Sequence, residues 1–402
     1  MSKPRLLWWG DAVAPTGFAK VTHNVLRFLS DRSDRSDRSD GWDVAVLGIN
    51  HRGDPHAYPY PIYPAAAVGN MWGLGRFPDI VRKVQPDVVL VQNDPWNVAE
   101  ALGQIETAGC PLVAWMPVDA PNMKRATAAA LNRLDLAIWY TEFARNEARK
   151  AGHTGPAIVV PLGVDVDVFR PIRPIGPIGR IGGRFVVGNV NRNHLRKRLD
   201  LTIAAFAAWL TAYRHTDACL HLCCSSTDTG WDLPQLAEYH GIGDRLILTD
   251  TAPVAWEGIP EEALRAIYCG FDAQLTTTAG EGWGLTTLEG MACGIPQIVP
   301  EYAALGEWAR RAALLVPVTS TLAAPGHINT IAGIPDLRRT VEALERVHGD
   351  PALRATLAER SLALAQQPQY RWEAIAQRID EALRAAINRS PLALSQRPMA
   401  NG

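Results

Sequence analysis

The chain has no excess of charge of either sign. Its 402 residues carry 40 Lys plus Arg against 41 Asp plus Glu, a formal net charge of −1. A generic nucleic-acid coat or a polybasic membrane binder needs a basic surplus, so the balance argues against both, though not against a local basic groove. Long apolar runs are missing too. Nothing approaches the roughly 18 uninterrupted apolar residues of a membrane span. Near the N-terminus Leu6-Leu7-Trp8-Trp9 is cut off by Gly10 and Asp11, too soon for the core of a secretory leader. We read it as a first strand and expect a cytoplasmic protein. Cysteine is scarce: Cys110, Cys219, Cys223, Cys224, Cys269 and Cys293 are scattered, as small buried hydrophobes of a reducing compartment are. Cys219, His221, Cys223 and Cys224 lack the two separated pairs of a zinc site, and neighbours in a strand face opposite ways. There is no Walker loop and no Gly-x-Ser-x-Gly elbow. The loop after the first strand breaks the dinucleotide Gly-x-Gly-x-x-Gly at Asp11 and Ala12.

What is present is apolar content of 47% with 20% charged residues, enough for a sizeable core. The length predicts two domains. Strand-like runs at 5–9, 43–49, 87–92, 112–116, 136–140 and 157–161 alternate with helical patterns at 19–29, 77–84 and 142–152. The alternation restarts with strands at 185–189, 218–224, 245–249, 273–277 and 296–300 and helices at 199–209, 260–268 and 286–293. Two β/α series predict two doubly wound, Rossmann-like α/β domains. We place the first at residues 1–170, a Pro/Gly-rich linker at 171–183, the second at 184–370, and a late helix with its tail at 371–402. The Ser-Asp-Arg triplets of 30–40 read as a solvated surface segment.

The densest chemistry follows the strand at 273–277. Gly280, Gly282 and Gly284 surround Glu281 and Trp283, and a helix starting near Leu285 and Thr286 carries Glu289. Close backbone approach at the glycines and unpaired N–H groups at the helix start suit an anion. Thr286-x-x-Glu289 also fits a capping box, in which Glu289 would merely satisfy a backbone N–H. A second cluster, residues 188–198, holds Arg192 and Lys197 five apart, with His194, Arg196 and Arg198. A third is the loop after strand one, where Thr16 and Gly17 precede a helix. Asp119 stands in Met116-Pro-Val-Asp-Ala-Pro, and Asp94 follows the preceding strand. Asp165 and Asp167 imitate a metal-binding Asp-x-Asp but sit in a Gly-Val-Asp…Phe-x-Pro segment, so no metal is assigned.

These motifs resemble those of glycosyltransferase family 4, retaining enzymes of GT-B architecture. The carriers are Glu281-Gly282-Trp283-Gly284-Leu285 with Glu289-Gly290-Met291-Ala292, Gly163-Val164-Asp165 through Phe169 and Pro171, and Trp372 in a late helix. The family's Phe is Trp283 here, and its Glu-Ala-Met is Glu289-Gly290-Met291. The resemblance implies two Rossmann-like domains facing across a cleft that binds a nucleotide-diphosphate sugar, a UDP-sugar for choice, with no permanently bound cofactor. It implies metal-independent transfer with retention. Glu281, Arg192 and Lys197, with Asp119 where the family often has His, are the implied catalytic groups. Thr16, Gly17, Arg192, Lys197, Gly282, Trp283, Gly284, Leu285, Thr286 and Glu289 are the implied donor-binding set, Glu289 on the ribose. An epimerase or a non-catalytic nucleotide-sugar-binding module on the same fold is the alternative.

For the acceptor, residues 51–72 are Pro/Tyr-rich. We expect Tyr58, Tyr60, Trp72 and Trp96, with Asp94, to line its site, since exposed aromatics stack on sugar rings and planar groups. A glycan or small molecule is the expected acceptor. Hydroxymethylated bases of viral DNA rank below it, because residues 1–170 hold 18 Lys plus Arg and 18 Asp plus Glu, no basic bias. Oligomeric state is not legible.

Overall fold

The computed structural model describes residues 3–30, 41–66, 70–104, 109–172, 183–251, 258–325 and 328–389. The Ser-Asp-Arg triplets, most of the Pro/Gly-rich linker and the tail from 390 lie outside the described residues. The chain forms two compact units. The first comprises residues 1–118, 123–162 and 372–402; the second, 119–122 and 163–371. Residues 163–170, expected with the first domain, thus group with the second.

The first unit is built on β1 (Arg5–Asp11), α1 (Gly17–Ser30), β2 (Asp43–Ile49), β3 (Ile62–Pro64), α2 (Phe77–Val84), β4 (Val88–Gln92), α3 (Pro95–Gln104), β5 (Leu112–Met116), α4 (Arg125–Leu131), β6 (Leu136–Trp139), α5 (Glu142–Lys150) and β7 (Ala157–Val159). All pairings are parallel, in the order β3-β2-β1-β4-β5-β6-β7. β1 is central and apolar on both faces, as a strand covered by helices on both sides must be. Leu7 and Trp9 join one core with Leu47, Val89, Val91, Ala114 and Met116. On the other face the Trp8 indole donates to Thr22 Oγ1 (3.1 Å), whose hydroxyl donates to Gln92 Oε1 (2.9 Å), and Gln92 Nε2 donates to the Tyr140 hydroxyl (3.2 Å). This buried polar chain leaves each member partnered, which offsets its desolvation. Helix starts are set locally. Thr16 Oγ1 accepts from Ala19 N (3.1 Å), and Thr141 Oγ1 from Ala144 N (3.1 Å).

The second unit contains β8 (Phe185–Val190), α6 (Leu199–Tyr213), β9 (Ala218–Cys224), α7 (Leu233–Tyr239), β10 (Leu246–Asp250), α8 (Glu261–Tyr268), β11 (Ala273–Leu275), α9 (Leu285–Ala292), β12 (Gln297–Pro300), α10 (Ala303–Trp308), β13 (Leu314–Val316), β14 (Val318–Ala323), β15 (Ile331–Pro335), α11 (Leu337–Gly349) and α12 (Pro351–Ala365). A parallel sheet in the order β10-β9-β8-β11-β12-β13 carries its core. β14 and β15 form a separate antiparallel hairpin. The last helix, α13 (Trp372–Arg389), belongs to the first unit. Its Asp380 accepts from the Trp42 indole (2.6 Å), and Arg384 lies over the Trp42 ring.

Two Rossmann-like α/β units therefore stand as expected, and most strand boundaries fall within two residues of the sequence pattern. Several elements were not anticipated: β3, α3, α4, α7, α10, β13 and the β14–β15 hairpin. The strand expected to reach Thr277 stops at Leu275, because Thr277 leaves the ladder and its hydroxyl donates to the Arg198 carbonyl (2.7 Å). All six cysteines are free, five of them buried. Among the described residues no helix is long and apolar enough to cross a membrane.

Candidate active site

In open parallel sheets ligands bind at the carboxyl ends of strands where the strand order reverses. In the second unit that point lies between β8 and β11. Two loops meet there: residues 191–198 after β8 and 276–284 after β11.

The first loop is shaped by a short 3-10 turn over Leu195–Lys197 followed by Arg198 in the left-handed region (φ 52). It is tied to the second by Ala279 N donating to the Arg196 carbonyl (2.8 Å) and by paired hydroxyls of Thr202 and Thr277 (2.6 Å). The second loop is held from its far side, where Gly333 N of β15 donates to the Ala279 carbonyl (2.8 Å). Gly280 has no room for a side chain: a Cβ there would lie 2.4 Å from the Asp119 carbonyl oxygen.

These constraints gather four charges. Lys197 Nζ and Arg196 Nη1 both donate to Glu281, the latter at 3.1 Å, and Arg196 Nε lies 3.2 Å from Asp119 Oδ2. Glu281 is 6% exposed. Burial alone would raise its carboxyl, but the Lys197 and Arg196 charges overcome it and hold the group at about 2. Burial lowers Lys197, with Glu281 opposing, and raises Asp119, with Arg196 opposing. Removing any one member would leave a buried, under-compensated charge.

Glu289 lies inside α9, 3% exposed, and its Oε2 accepts from the Tyr268 hydroxyl (2.8 Å). α9 starts at Leu285 with Gly284 as its N-cap residue, so Thr286 is not at the cap and Glu289 is not the reciprocal member of a capping box. Gly282 is buried beside Glu281, while Leu285 and Thr286 form the half-buried first turn. Trp283 is 4% exposed and stacks on Trp308 (centroids 4.9 Å), whose indole donates to the Trp283 carbonyl (2.8 Å). Asp165 Oδ1 accepts from Asp167 N (3.1 Å), turning the chain after β7.

Arg192 stands apart from Lys197. Its guanidinium makes a two-pronged pair with Asp228 (2.8 and 2.9 Å) and is 70% exposed. Arg196, not Arg192, shares Glu281 with Lys197. Sequence reasoning also missed Asp228, Tyr268 and the hairpin behind Ala279. Only Arg196 carried a signal, as part of the basic run. The rest depend on long-range packing.

In the first unit the reversal point lies between β1 and β4. Asp11 Oδ2 accepts from the Thr16 hydroxyl (2.6 Å), and Thr16 N donates to the Ala14 carbonyl (2.8 Å), so that N–H is already engaged. Gly17 opens α1. Tyr58 and Tyr60 are not a pair of open platforms. Tyr60 is 6% exposed and its hydroxyl donates to His23 Nδ1 (2.7 Å), while the Tyr58 ring lies on His23 at 3.4 Å. His23 Nε2–H donates to the Ala12 carbonyl. Burial holds this imidazole down at about 4, so it is neutral at pH 7. Trp72 is 38% exposed. It lines a cavity of about 110 Å³ with Trp9, Asn70, Asn93, Asn97 and Gln104. Trp96 is half-buried at the start of α3, and the Asp94 carbonyl accepts from Asn97 N and Val98 N of that helix.

Residues 184–332 match the model of the family described as Glycosyl transferases group 1. Over 186 residues the chain is 26% identical to a GDP-mannose-dependent alpha-(1-6)-phosphatidylinositol dimannoside mannosyltransferase of Mycobacterium tuberculosis, which covers 45% of this chain and 45% of that protein. The aligned stretch thus spans about half the length of the curated relatives it matches. Among solved structures, a sucrose-phosphate synthase from Thermosynechococcus elongatus aligns with TM-score 0.71 and 18% identity over 96% of this chain and 100% of its own. HepE of Anabaena, in complex with UDP and glucose, aligns with TM-score 0.66 and 16% identity over 95% and 100%. Trehalose-6-phosphate synthase of E. coli, bound with UDP-2-fluoro glucose, gives 0.67 and 13% over 96% and 99%.

Proposed function

We propose that this chain, which has the GT-B fold and a group 1 glycosyl transferase segment in its second unit, moves a sugar from a nucleoside-diphosphate sugar to a hydroxyl of a glycan or small molecule, with retention of configuration. The observation that carries the proposal is the Lys197–Glu281–Arg196–Asp119 cluster, gathered around buried Glu281 at the β8/β11 reversal point. The bond between the anomeric carbon and the phosphate oxygen breaks, and its electron pair passes to the diphosphate. Lys197 and Arg196 stabilise that growing charge, with Arg192 at the exposed rim. The acceptor oxygen bonds the anomeric carbon on the face the diphosphate leaves, and its proton goes to a departing phosphate oxygen. Glu281, ionised at any physiological pH, faces the positive charge that develops on the sugar. Glu289, steadied by Tyr268, receives the ribose hydroxyls. With the Lys197 and Arg196 cations supplying the charge, we assign no step to a metal ion. On the acceptor side the amides of Asn70, Asn93, Asn97 and Gln104 beside Trp72 suit sugar hydroxyls and a sugar face.

The test pairs a thermal-shift screen with a transfer assay. UDP-glucose, GDP-mannose and their adenosine and thymidine counterparts are added to the full chain, and labelled sugar is followed to oligosaccharide acceptors. One nucleotide class should raise the melting temperature and support transfer with chelator present. Stabilisation without turnover on any acceptor would favour a binding module, and loss of transfer on chelation would overturn the metal-free assignment.

A further inference from the structure

Away from the active site, the second unit brings His215, Asp217 and His348 together, with one ligand atom of each within 4.8 Å of the others. His348 Nε2 lies 3.6 Å from Asp217 Oδ1, and the two imidazole rings are 4.2 Å apart at 55°. Local structure fixes each position. Arg214, left-handed at φ 58, ends α6 and drops His215 into the short link before β9. The Asp217 carbonyl accepts from Phe185 N, anchoring the link to the start of β8. His348 is in the last turn of α11, three residues after Glu345.

We propose that His215, Asp217 and His348 bind a divalent transition-metal ion of the Zn²⁺ class, with Glu345 as the residue that orients His215. Imidazole nitrogen with one carboxylate oxygen is the donor set such ions take. The 3.6 Å between His348 Nε2 and Asp217 Oδ1 is close to the roughly 3.4 Å that separates two ligands about 2.0–2.1 Å from a tetrahedral centre. Glu345 Oε2 lies 2.7 Å from His215 Nε2 and also accepts from the Trp209 indole (2.9 Å). A carboxylate on the ring of a metal-bound histidine is the usual outer support. Among the described residues Asp217 and Glu345 form ion pairs with histidines and with no lysine or arginine. Phe185 and Trp209 wall one side through edge contacts with His348. The group sits at the amino ends of β8 and β9, and the active-site loops leave the carboxyl ends. β8 is six residues long, about 20 Å at ~3.3 Å per residue. The ion is structural: it ties the α6–β9 link to α11.

The full chain, stripped with chelator and dialysed, is titrated with Zn²⁺ by calorimetry and with Co²⁺ by visible absorption. One equivalent should bind at micromolar or tighter affinity, raise the melting temperature, and give four- or five-coordinate Co²⁺ bands without thiolate charge-transfer bands. His215→Ala and His348→Ala should each weaken binding at least tenfold, while Cys223→Ser leaves it unchanged. No stoichiometric binding by the unmutated chain overturns the proposal. So do thiolate bands in its Co²⁺ spectrum, a readout that needs no variant to fold, or binding that survives both histidine variants.

Discussion

Both units reverse their strand order beside the first strand of the sheet, at β1/β4 in one and β8/β11 in the other. The second unit fills that point with two cations and two carboxylates. The first fills it with hydroxyl, amide, carboxyl and aromatic groups and no cation among the cavity-lining residues: the Asp11–Thr16–Asn50 hydrogen bonds, Glu100, amides and aromatic rings. Burial raises the Asp11 carboxyl, against the hydrogen bonds from Thr16 and Asn50. One topology thus carries two chemistries, and the difference lies in a few loop side chains. A cationic end can stabilise a leaving diphosphate, and one built of amides, hydroxyls and rings can sort hydroxyls.

Breaking the charged end should have the largest effect. Glu281→Gln should cut turnover roughly 10²–10³-fold, as loss of one preorganised electrostatic group does. The structure adds a stability effect, because Lys197 and Arg196 lose a shared counter-charge. The Glu281 pKa falls from 4.5 to about 2 on folding, so its contribution is present above pH 4.5 and is lost as pH drops toward 2. Acid titrations of the melting temperature should show a shallower slope in that window for Glu281→Gln than for the unmutated chain. An identical slope would remove the ion-pair explanation.

Lys197→Ala should come next. A charged hydrogen bond of about 1.5–3 kcal/mol predicts a loss of roughly ten- to a hundredfold in donor affinity, read by titration calorimetry. Arg192→Ala tests whether the rim contributes as much. Its pair with Asp228 is exposed, so stability should change by under about 1 kcal/mol in denaturant melts. A donor-affinity loss equal to that of Lys197→Ala would return Arg192 to the centre of the site.

A smaller effect concerns packing under α9. α9 carries Gly290, and a Cβ there would lie 2.0 Å from Gln274 Oε1. Gln274 is fully buried and receives the Gln297 amide (3.2 Å). Gly290→Ala should cost about 1–3 kcal/mol of stability by overpacking. Adding Gln274→Ser should recover part of it, and no recovery in a double-mutant melt would show that the glutamine is not the obstacle. The smallest effect belongs to the β1/β4 end: Thr16→Ala removes the α1 cap and should cost about 1 kcal/mol, seen as a slightly lower melting temperature.

The continuous apolar strands made the fold legible, because β1, β4, β8 and β9 are buried on both faces and need no alternation. α4 (Arg125–Leu131) and α7 (Leu233–Tyr239) are seven residues each and expose little periodicity, so they were missed. β14 was missed because five of its six residues are exposed. Glu281, Glu289 and Lys197 were legible through motif spacing. Arg196 was not singled out, because a 3-10 turn and a left-handed residue decide which cations of the basic run turn inward, and neither leaves a periodic mark. The aromatic acceptor platform was misjudged at Tyr60, whose burial depends on His23 from another element.

The placement of α13 has a consequence for biosynthesis. Trp42 and Asp380, 338 positions apart, form one buried hydrogen bond within the first unit. The indole is 2% exposed under that helix. This unit is therefore made early and closed late, because α13 follows the second unit in the chain, whereas the second unit is almost contiguous. The N-terminal sheet thus lacks the cover of α13 over Trp42 until the second unit has been made.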